Sequence, residues 1–490
     1  RGKNFLIRPA LHEGFTDDGA LISFNDNICR LYGGNNKTPL TLQPNWDLQR
    51  ADIGNIYGGC NEGDVLYYNE SGDRNLYPAA GGSPGLWLVL CNDDLKIDKI
   101  YGGSRMGNIK PSRITYDPAT GRRDTTLVKF ADNQYSSVIL ITAGEYGRVF
   151  GGNDVSGNAY NGTRIMMQGG KIQSVYGAGN GSYLYKWDPS VKEVTEIWDE
   201  QLKSYVYLTP TNPKYPNAAT NEFDRMKALN AIRPHVQKSL IEIGGGMGEP
   251  TYISQAIFSG GNCATVLNEN EEMGEIVLDL GDNAVVNELY MGANGGQYTQ
   301  QSYVDQILKL NDIKDLAQKD AEGNTMLDVY MRAVAMYGLP KYFHFRNNYD
   351  NCYIGSFYLG GRRGSLFAHG DLSVSFPQQL KIFNKVVGGP SSAAFNINDL
   401  LGQSVRYDGG IIWDKKGQEP HISLDVQSQF YDAIMDINDA SLAGQNFLRY
   451  GEFGKQIVDA NIFSGCYESG KVEGTVEIQI DGMENEEIFF

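Results

Sequence analysis

The residues of this chain best equipped for chemistry lie in two short segments, Asn92-Asp93-Asp94 and Ala368-His369-Gly370-Asp371. A glycosidase needs two carboxylates across the scissile bond, one ionised and one protonated. A polysaccharide lyase needs a base, commonly with Ca²⁺, to remove a proton that the ion acidifies. Asp93, Asp94 and His369 are the residues that would carry either reaction. The competing reading is a solvated turn for the Asp pair, in a chain with 59 acidic residues, and a structural role for His369. The other histidines, His12, His235, His344 and His421, stand alone and read as surface or cap residues.

Binding offers a second kind of chemistry, because sugar faces stack on aromatic rings. Tyr183, Tyr185, Trp187, Trp198 and Tyr205 crowd one segment and form the candidate ligand-binding set. The alternative is that these rings pin their segment onto the body of the protein. No D-x-[DN]-x-[DN]-G calcium loop occurs. Asn153-Asp154 and Asn25-Asp26-Asn27 are the most oxygen-rich turns, so calcium is the one ion in view, and no other metal or cofactor is expected.

Composition sets bounds on the partners. The formal charge is −17, and no Lys/Arg run is long enough to track phosphates, so nucleic acid is excluded as a partner. Apolar runs such as Gly85–Leu90 have only strand length, which predicts no transmembrane segment. The chain opens at Arg1, which reads as a processed or trimmed N-terminus. Six cysteines are spread singly without C-x-x-C, which favours free thiols, with one or two disulfides as the alternative.

The elements that must position these residues come from a repeat. An aliphatic-aromatic-Gly-Gly signature recurs at Leu31-Tyr32-Gly33-Gly34, Ile56-Tyr57-Gly58-Gly59, Ile100-Tyr101-Gly102-Gly103, Val149-Phe150-Gly151-Gly152 and Val175-Tyr176-Gly177-Ala178-Gly179. Looser copies follow around Phe258, Tyr290, Tyr358, Val387 and Phe463. Tyr32 and Tyr57 are 25 residues apart, Phe150 and Tyr176 26, Phe258 and Tyr290 32, and Tyr358 and Val387 29. Three short strands and three turns fit that length, and the longer gaps hold either two such units or one with an inserted loop.

An aliphatic beside an aromatic suits a strand with two different faces. The glycine pair is expected to supply backbone angles closed to other residues and to end the strand in a tight turn. Asn after the glycines tolerates left-handed backbone and, stacked between repeats, can form an amide ladder. Lys171–Val175, Leu95–Ile100 and Glu275–Leu280 alternate with period two, as strands do. Helical spacing breaks the pattern in 221–243, 297–337 and 430–447.

The fold class expected is all-β, a right-handed parallel β-helix solenoid running through 1–490. Helix-containing loop insertions are placed at approximately 186–250, 297–345 and 400–455.

The tandem [ILV]-[YF]-G-G pattern resembles the glycine-rich-repeat, pectin-lyase-like right-handed β-helix surface proteins of Bacteroidetes, over roughly Leu31 to Ile478. The resemblance implies a secreted or outer-membrane-surface location with the signal peptide removed. It implies a non-enzymatic role in adhesion, surface assembly, or binding of a glycan or surface protein. Asn92-Asp93-Asp94 and His369-Gly370 are similar to the paired-Asp and His-Gly elements of polygalacturonase-like enzymes. That family's third Asp element and its Arg-x-Lys element have no counterpart here, and the lyase Arg-x-Pro-x-x-Arg is absent. Cleavage of a polysaccharide is therefore the second expectation, and a purely structural rod the third.

Overall fold

The computed structural model describes residues 5–7, 13–15, 21–23, 27–40, 44, 46–48, 51–67, 85–127, 132–183, 185–188, 193–199, 204–207, 232–244, 250–266, 274–281, 283–295, 343–347, 352–363, 366–368, 370–376, 380–392, 394–396, 406–408, 410–413, 418–426, 429–430 and 461–480. All elements among the described residues are strands, and most lie in parallel sheets. The longest sheet has 11 strands. Asn27–Tyr32, Ala51–Tyr57, Leu95–Tyr101, Glu145–Phe150, Lys171–Tyr176, Thr251–Phe258, Ala284–Tyr290, Cys352–Tyr358 and Leu380–Val387 pair in sequence order, and Gln429–Phe430 and Asn461–Phe463 both join the last of these.

A second sheet stacks Leu86–Leu90, Ser137–Ile141, Thr163–Met167, Lys238–Ile243, Glu275–Leu280 and Phe343–Asn347 in the same sense. A third contains Val65–Tyr67, Ile109–Asp117, Asn158–Ala159, His235–Val236 and Thr265–Val266. Towards the C-terminus two three-stranded parallel sheets repeat the arrangement, Asp371–Phe376 with His421–Val426 and Thr475–Ile480, and Leu366–Ala368 with Gly410–Trp413 and Lys471–Val472. The chain visits the sheets in a fixed order. Leu95–Tyr101, Ile109–Asp117, Ser137–Ile141 and then Glu145–Phe150 show one such circuit. This all-β arrangement of parallel sheets is compatible with a parallel β-helix.

The long gaps between aromatics each lead to the next strand of the longest sheet, the last of them supplying two short segments, Gln429–Phe430 and Asn461–Phe463. Tyr57 faces Tyr101, Tyr101 faces Phe150, Tyr176 faces Phe258, Tyr290 faces Tyr358 and Val387 faces Phe463 as direct partners. The extra residues form excursions. Ile109–Asp117 and Arg122–Leu127 make an antiparallel hairpin, and Tyr185–Asp188, Glu193–Asp199 and Ser204–Tyr207 make a three-stranded antiparallel sheet. Within 186–250, residues His235–Val236 and Lys238–Ile243 are strands of the parallel sheets. Within 400–455, Gly410–Trp413 and His421–Val426 are as well. The helical spacings in 221–231, 297–337 and 431–447 lie outside the described residues.

The core is built by the inward half of each period-two strand. Leu86, Leu88 and Leu90 meet Ile139 and Ile141, then Ile165 and Met167, Ile241 and Ile243, and Ile276, Leu278 and Leu280, all buried with Ile53, Ile56, Ile97 and Ile100 of the facing sheet. Each fully buried side chain of this kind contributes about 1.5–3 kcal/mol.

The glycine pairs work differently from the sequence expectation. None of Gly58, Gly102, Gly151 and Gly177 has a left-handed φ. The strands do end at the aromatic, with a bend at the glycines, yet hydrogen bonding between repeats continues past that point: Gly58 N donates to Tyr101 O (2.8 Å), Gly59 N to Gly103 O (3.0 Å), Gly102 N to Phe150 O (2.9 Å) and Gly151 N to Tyr176 O (2.9 Å). A Cβ on the first glycine would collide with the carbonyl of the next repeat, Gly58 with Gly102 O and Gly151 with Gly177 O. The side chains facing them use the space gained. Ser137 Oγ donates to Gly151 O (2.8 Å) and Thr163 Oγ1 to Gly177 O (2.6 Å). In the repeats of Phe258, Tyr290 and Tyr358 the position carries Ser259, Met291 and Leu359, all buried, and it returns to glycine at Gly388.

Candidate functional site

Two surfaces of the longest sheet combine side chains into arrangements with chemical potential: a closed polar ladder over the aromatic row, and an open groove upstream of it.

The aromatics form a stack separate from the aliphatic core. Tyr32, Tyr57, Tyr101, Phe150, Tyr176, Phe258, Tyr290 and Tyr358 follow one another with centroids 4.4 to 5.1 Å apart and ring planes within 15°. The parallel-strand spacing of about 4.8 Å imposes this distance. Residues after the glycine pairs make the amide ladder that the stacked asparagines predicted. Asn294 Nδ2 donates to Asn262 Oδ1, Asn262 Nδ2 to Asn180 Oδ1 and Asn180 Nδ2 to Asp154 Oδ1, each at 2.8 Å. Asn61 Nδ2 donates to Asn36 Oδ1 (2.6 Å) at the other end. The motif asparagines do not use left-handed backbone, since the only described non-glycine residues with positive φ are Asn161 and Asn283.

Asp154, 1% exposed, closes the ladder. Its Oδ2 accepts from Tyr57 Oη (2.8 Å), and its Oδ1 accepts from Tyr183 Oη (2.6 Å) as well as from Asn180. Burial first, then the Asp154 charge, push the phenols of Tyr57, Tyr101 and Tyr183 well above their ordinary pKa. Burial disfavours the Arg105 cation, but Asp154 and the phenols outweigh that and hold the guanidinium above its usual value. The donors converging on Asp154 make this turn an internal anchor.

The open groove, of about 520 Å³, crosses five strands of the same sheet. Its first row is in register: Asp52 faces Lys96, Lys96 faces Glu145, and Glu145 faces Lys171. Signs alternate along it, and Lys96 Nζ lies 3.3 Å from Glu145 Oε2. The second row lies two residues on. The flanking pairs Ile53–Ile97 and Asn55–Lys99 put Gly54 beside Asp98; Ile97–Tyr146 and Lys99–Arg148 put Gly147 on its other side, with Gln173 beyond. Asp98 is exposed, and among the described residues its carboxylate has neither an ion-pair nor a hydrogen-bond partner. Ser254 and Gln255 close the groove, with Gln255 Oε1 accepting from Ser174 Oγ (3.0 Å).

Asp93 and Asp94 are exposed on an Asx turn, where Asp94 N donates to Asn92 Oδ1 (3.0 Å) and Leu95 N to Asn92 O (3.2 Å). They do not line the groove. His369 lies outside the described residues. Tyr183 has its hydroxyl on Asp154. Tyr185 and Trp187 belong to Tyr185–Asp188, Trp198 to Glu193–Asp199 and Tyr205 to Ser204–Tyr207, with Trp198 and Tyr205 as register partners; these four side chains lie outside the described residues. Among the described residues Cys60, Cys91, Cys263, Cys352 and Cys466 are free thiols.

The groove went unnoticed in the sequence although it leaves a signal there. Asp52, Lys96, Glu145 and Lys171 each stand five residues before the aromatic of their repeat, and Gly54, Asp98, Gly147 and Gln173 each three before it. No protein-family model, curated protein or solved structure matches the chain.

Proposed function

We propose that this chain is a right-handed parallel β-helix acting at the outer surface of a bacterial cell, where it holds an extended glycan along the groove of its longest sheet and serves attachment without cleaving the ligand. The observation that carries this reading is the groove itself, in which a row of charged residues, Asp52, Lys96, Glu145 and Lys171, recurs once per strand over four strands, with Ser254 and Gln255 on the fifth. Five strands at about 4.8 Å spacing extend about 19 Å across the sheet, so the groove suits an extended chain lying perpendicular to the strands. A rigid parallel stack keeps these contacts in place before the ligand arrives, which limits the ordering cost of binding.

The test is affinity electrophoresis of the purified protein in gels containing soluble polysaccharides, with Gln173→Trp as a groove-filling variant. Retention by at least one polysaccharide, lost in Gln173→Trp at unchanged thermal midpoint, is the expected result. Retention indifferent to that substitution removes the groove from the mechanism. Release of new reducing ends or unsaturated products would make the protein an enzyme.

A further inference from the structure

We infer that the ligand of this groove is an uncharged, hydroxyl-rich glycan, and that Asp98 is its specificity-determining contact, accepting hydrogen bonds from two neighbouring sugar hydroxyls. The inference rests on the groove reading above and adds the class of ligand.

Charge supports it first. In the row Asp52, Lys96, Glu145, Lys171 every member stands beside one of opposite sign, and one pair is in ionic contact at 3.3 Å. Such a row largely cancels its own field at the distance of a bound polymer. A polyuronate finds no basic stripe there and meets a chain of net charge −17. A polyamine finds a groove in which three carboxylates, Asp52, Asp98 and Glu145, stand against two ammonium groups, and its cations face Lys96 and Lys171.

Shape supports it second. Asp98 stands in register between two glycines, Gly54 and Gly147, and its carboxylate lies over Gly147, with Oδ1 3.0 Å from where a Cβ on that glycine would be. Glycine inside a strand is where another body can come close to the backbone. A ring laid on the Gly54 side reaches the carboxylate edge-on. An ionised carboxylate only accepts hydrogen bonds, through two oxygens side by side, so its complement is a pair of adjacent donors. Vicinal hydroxyls on a sugar ring are such a pair, and their bonds to a carboxylate are charge-assisted. Gln173, Ser254 and Gln255 further along supply amide and hydroxyl groups that can meet the next residues of the chain.

The experiment is titration of the full chain with neutral polysaccharides (a β-glucan, a mannan, a xylan and a galactan), with polygalacturonate and with chitosan, at low and high salt. It compares the wild type, Asp98→Asn and Gln173→Trp. Asp98 is exposed and without a partner among the described residues, so Asp98→Asn is expected to melt as the wild type does. The expected result is salt-insensitive binding of a neutral polysaccharide that weakens about 10- to 100-fold in Asp98→Asn and is lost in Gln173→Trp. Binding of only polygalacturonate or chitosan, salt-sensitive and lost in Gln173→Trp, overturns the ligand class and leaves the groove reading standing. Neutral binding lost in Gln173→Trp but untouched in Asp98→Asn overturns the role of Asp98. No binding, or binding indifferent to Gln173→Trp, overturns the groove reading and this inference with it.

Discussion

Replacing Asp154 with alanine removes the acceptor of one buried and two half-buried donors at once: Tyr57 Oη at 2.8 Å, Tyr183 Oη at 2.6 Å and Asn180 Nδ2 at 2.8 Å. A hydrogen bond to a charged group contributes about 1.5–3 kcal/mol. The three do not add in full, because freed donors relax towards other acceptors. Arg105, 3% exposed, meanwhile loses the carboxylate that holds its charge in a buried setting. Leaving these three donors without their acceptor, with partial relaxation, is expected to cost about 3–5 kcal/mol in Asp154→Ala. Guanidinium unfolding followed by circular dichroism measures it. Because stacked repeats can unfold in parts, hydrogen exchange at the amides of Gly58 and Gly102 supplies a local readout. Removing the cation as well, in Asp154→Ala with Arg105→Met, should return part of the loss, so that the double variant falls about 1–3 kcal/mol short of the sum of the singles. A single-variant cost below about 1 kcal/mol, or additivity within about 0.5 kcal/mol, would refute the assignment of Asp154 as the anchor of this network.

Three further outcomes follow from the same structure. The phenols of Tyr57 and Tyr101 are held well above 10.0 in the folded chain, so their contribution is complete below that pH and is lost as pH rises beyond it; guanidinium midpoints should fall above about pH 10, by about 3 kcal/mol per pH unit for the two together, and flat midpoints up to about pH 11 would contradict this. Gly151→Ala should cost at least about 1–3 kcal/mol, because its Cβ meets Gly177 O and Thr163; Gly151→Asn should be no better, and rescue by Asn, which tolerates left-handed backbone, would show that conformation and not space is what the glycine provides. Asn262→Ala should cost about 2–4 kcal/mol by breaking both of its ladder bonds and orphaning their partners, checked by the same unfolding assay.

The repeat was legible because it is local. An aliphatic, an aromatic and two glycines in a row report a strand with a closely approached end, and Tyr57, Tyr101, Phe150 and Tyr176 duly stack in register. The reason for the glycines was not legible. Sequence records that a side chain is missing, and it takes the carbonyl of the next repeat, such as Gly177 O over Gly151, to tell a steric requirement from a conformational one. Asn153-Asp154 read as an oxygen-rich turn, and Tyr183 as an aromatic open to a ligand, because the two phenols that donate to Asp154, those of Tyr57 and Tyr183, stand 97 and 29 residues from it. The Asp93-Asp94 pair drew attention through composition, while Asp98 did not, since nothing local distinguishes a carboxylate set between glycines of two other strands. Aligning repeats backwards from the aromatic, three and five residues upstream, is the operation that exposes the groove.

A stack of near-identical repeats faces a problem that a mixed core does not. Aliphatic rows, aromatic rows and asparagine rungs fit one another equally well if a strand pairs with the wrong neighbour, so burial alone specifies the pleat and leaves the order of rungs weakly determined. The ladder answers this by carrying unlike members at the same position: Asn61, Arg105, Asp154, Asn180. Asp154 reaches Tyr57 two rungs back and Asn180 one rung forward, so it ties four consecutive repeats in one order. A slip by one rung would part Asp154 from Tyr57 and move Arg105 away from it, leaving a buried charge without its counterpart, at a cost comparable to that of the Asp154→Ala variant. The same fixed order brings Asp98 between Gly54 and Gly147 and aligns Asp52, Lys96, Glu145 and Lys171, so the closed ladder on one side of the sheet sets the geometry of the open groove upstream of it.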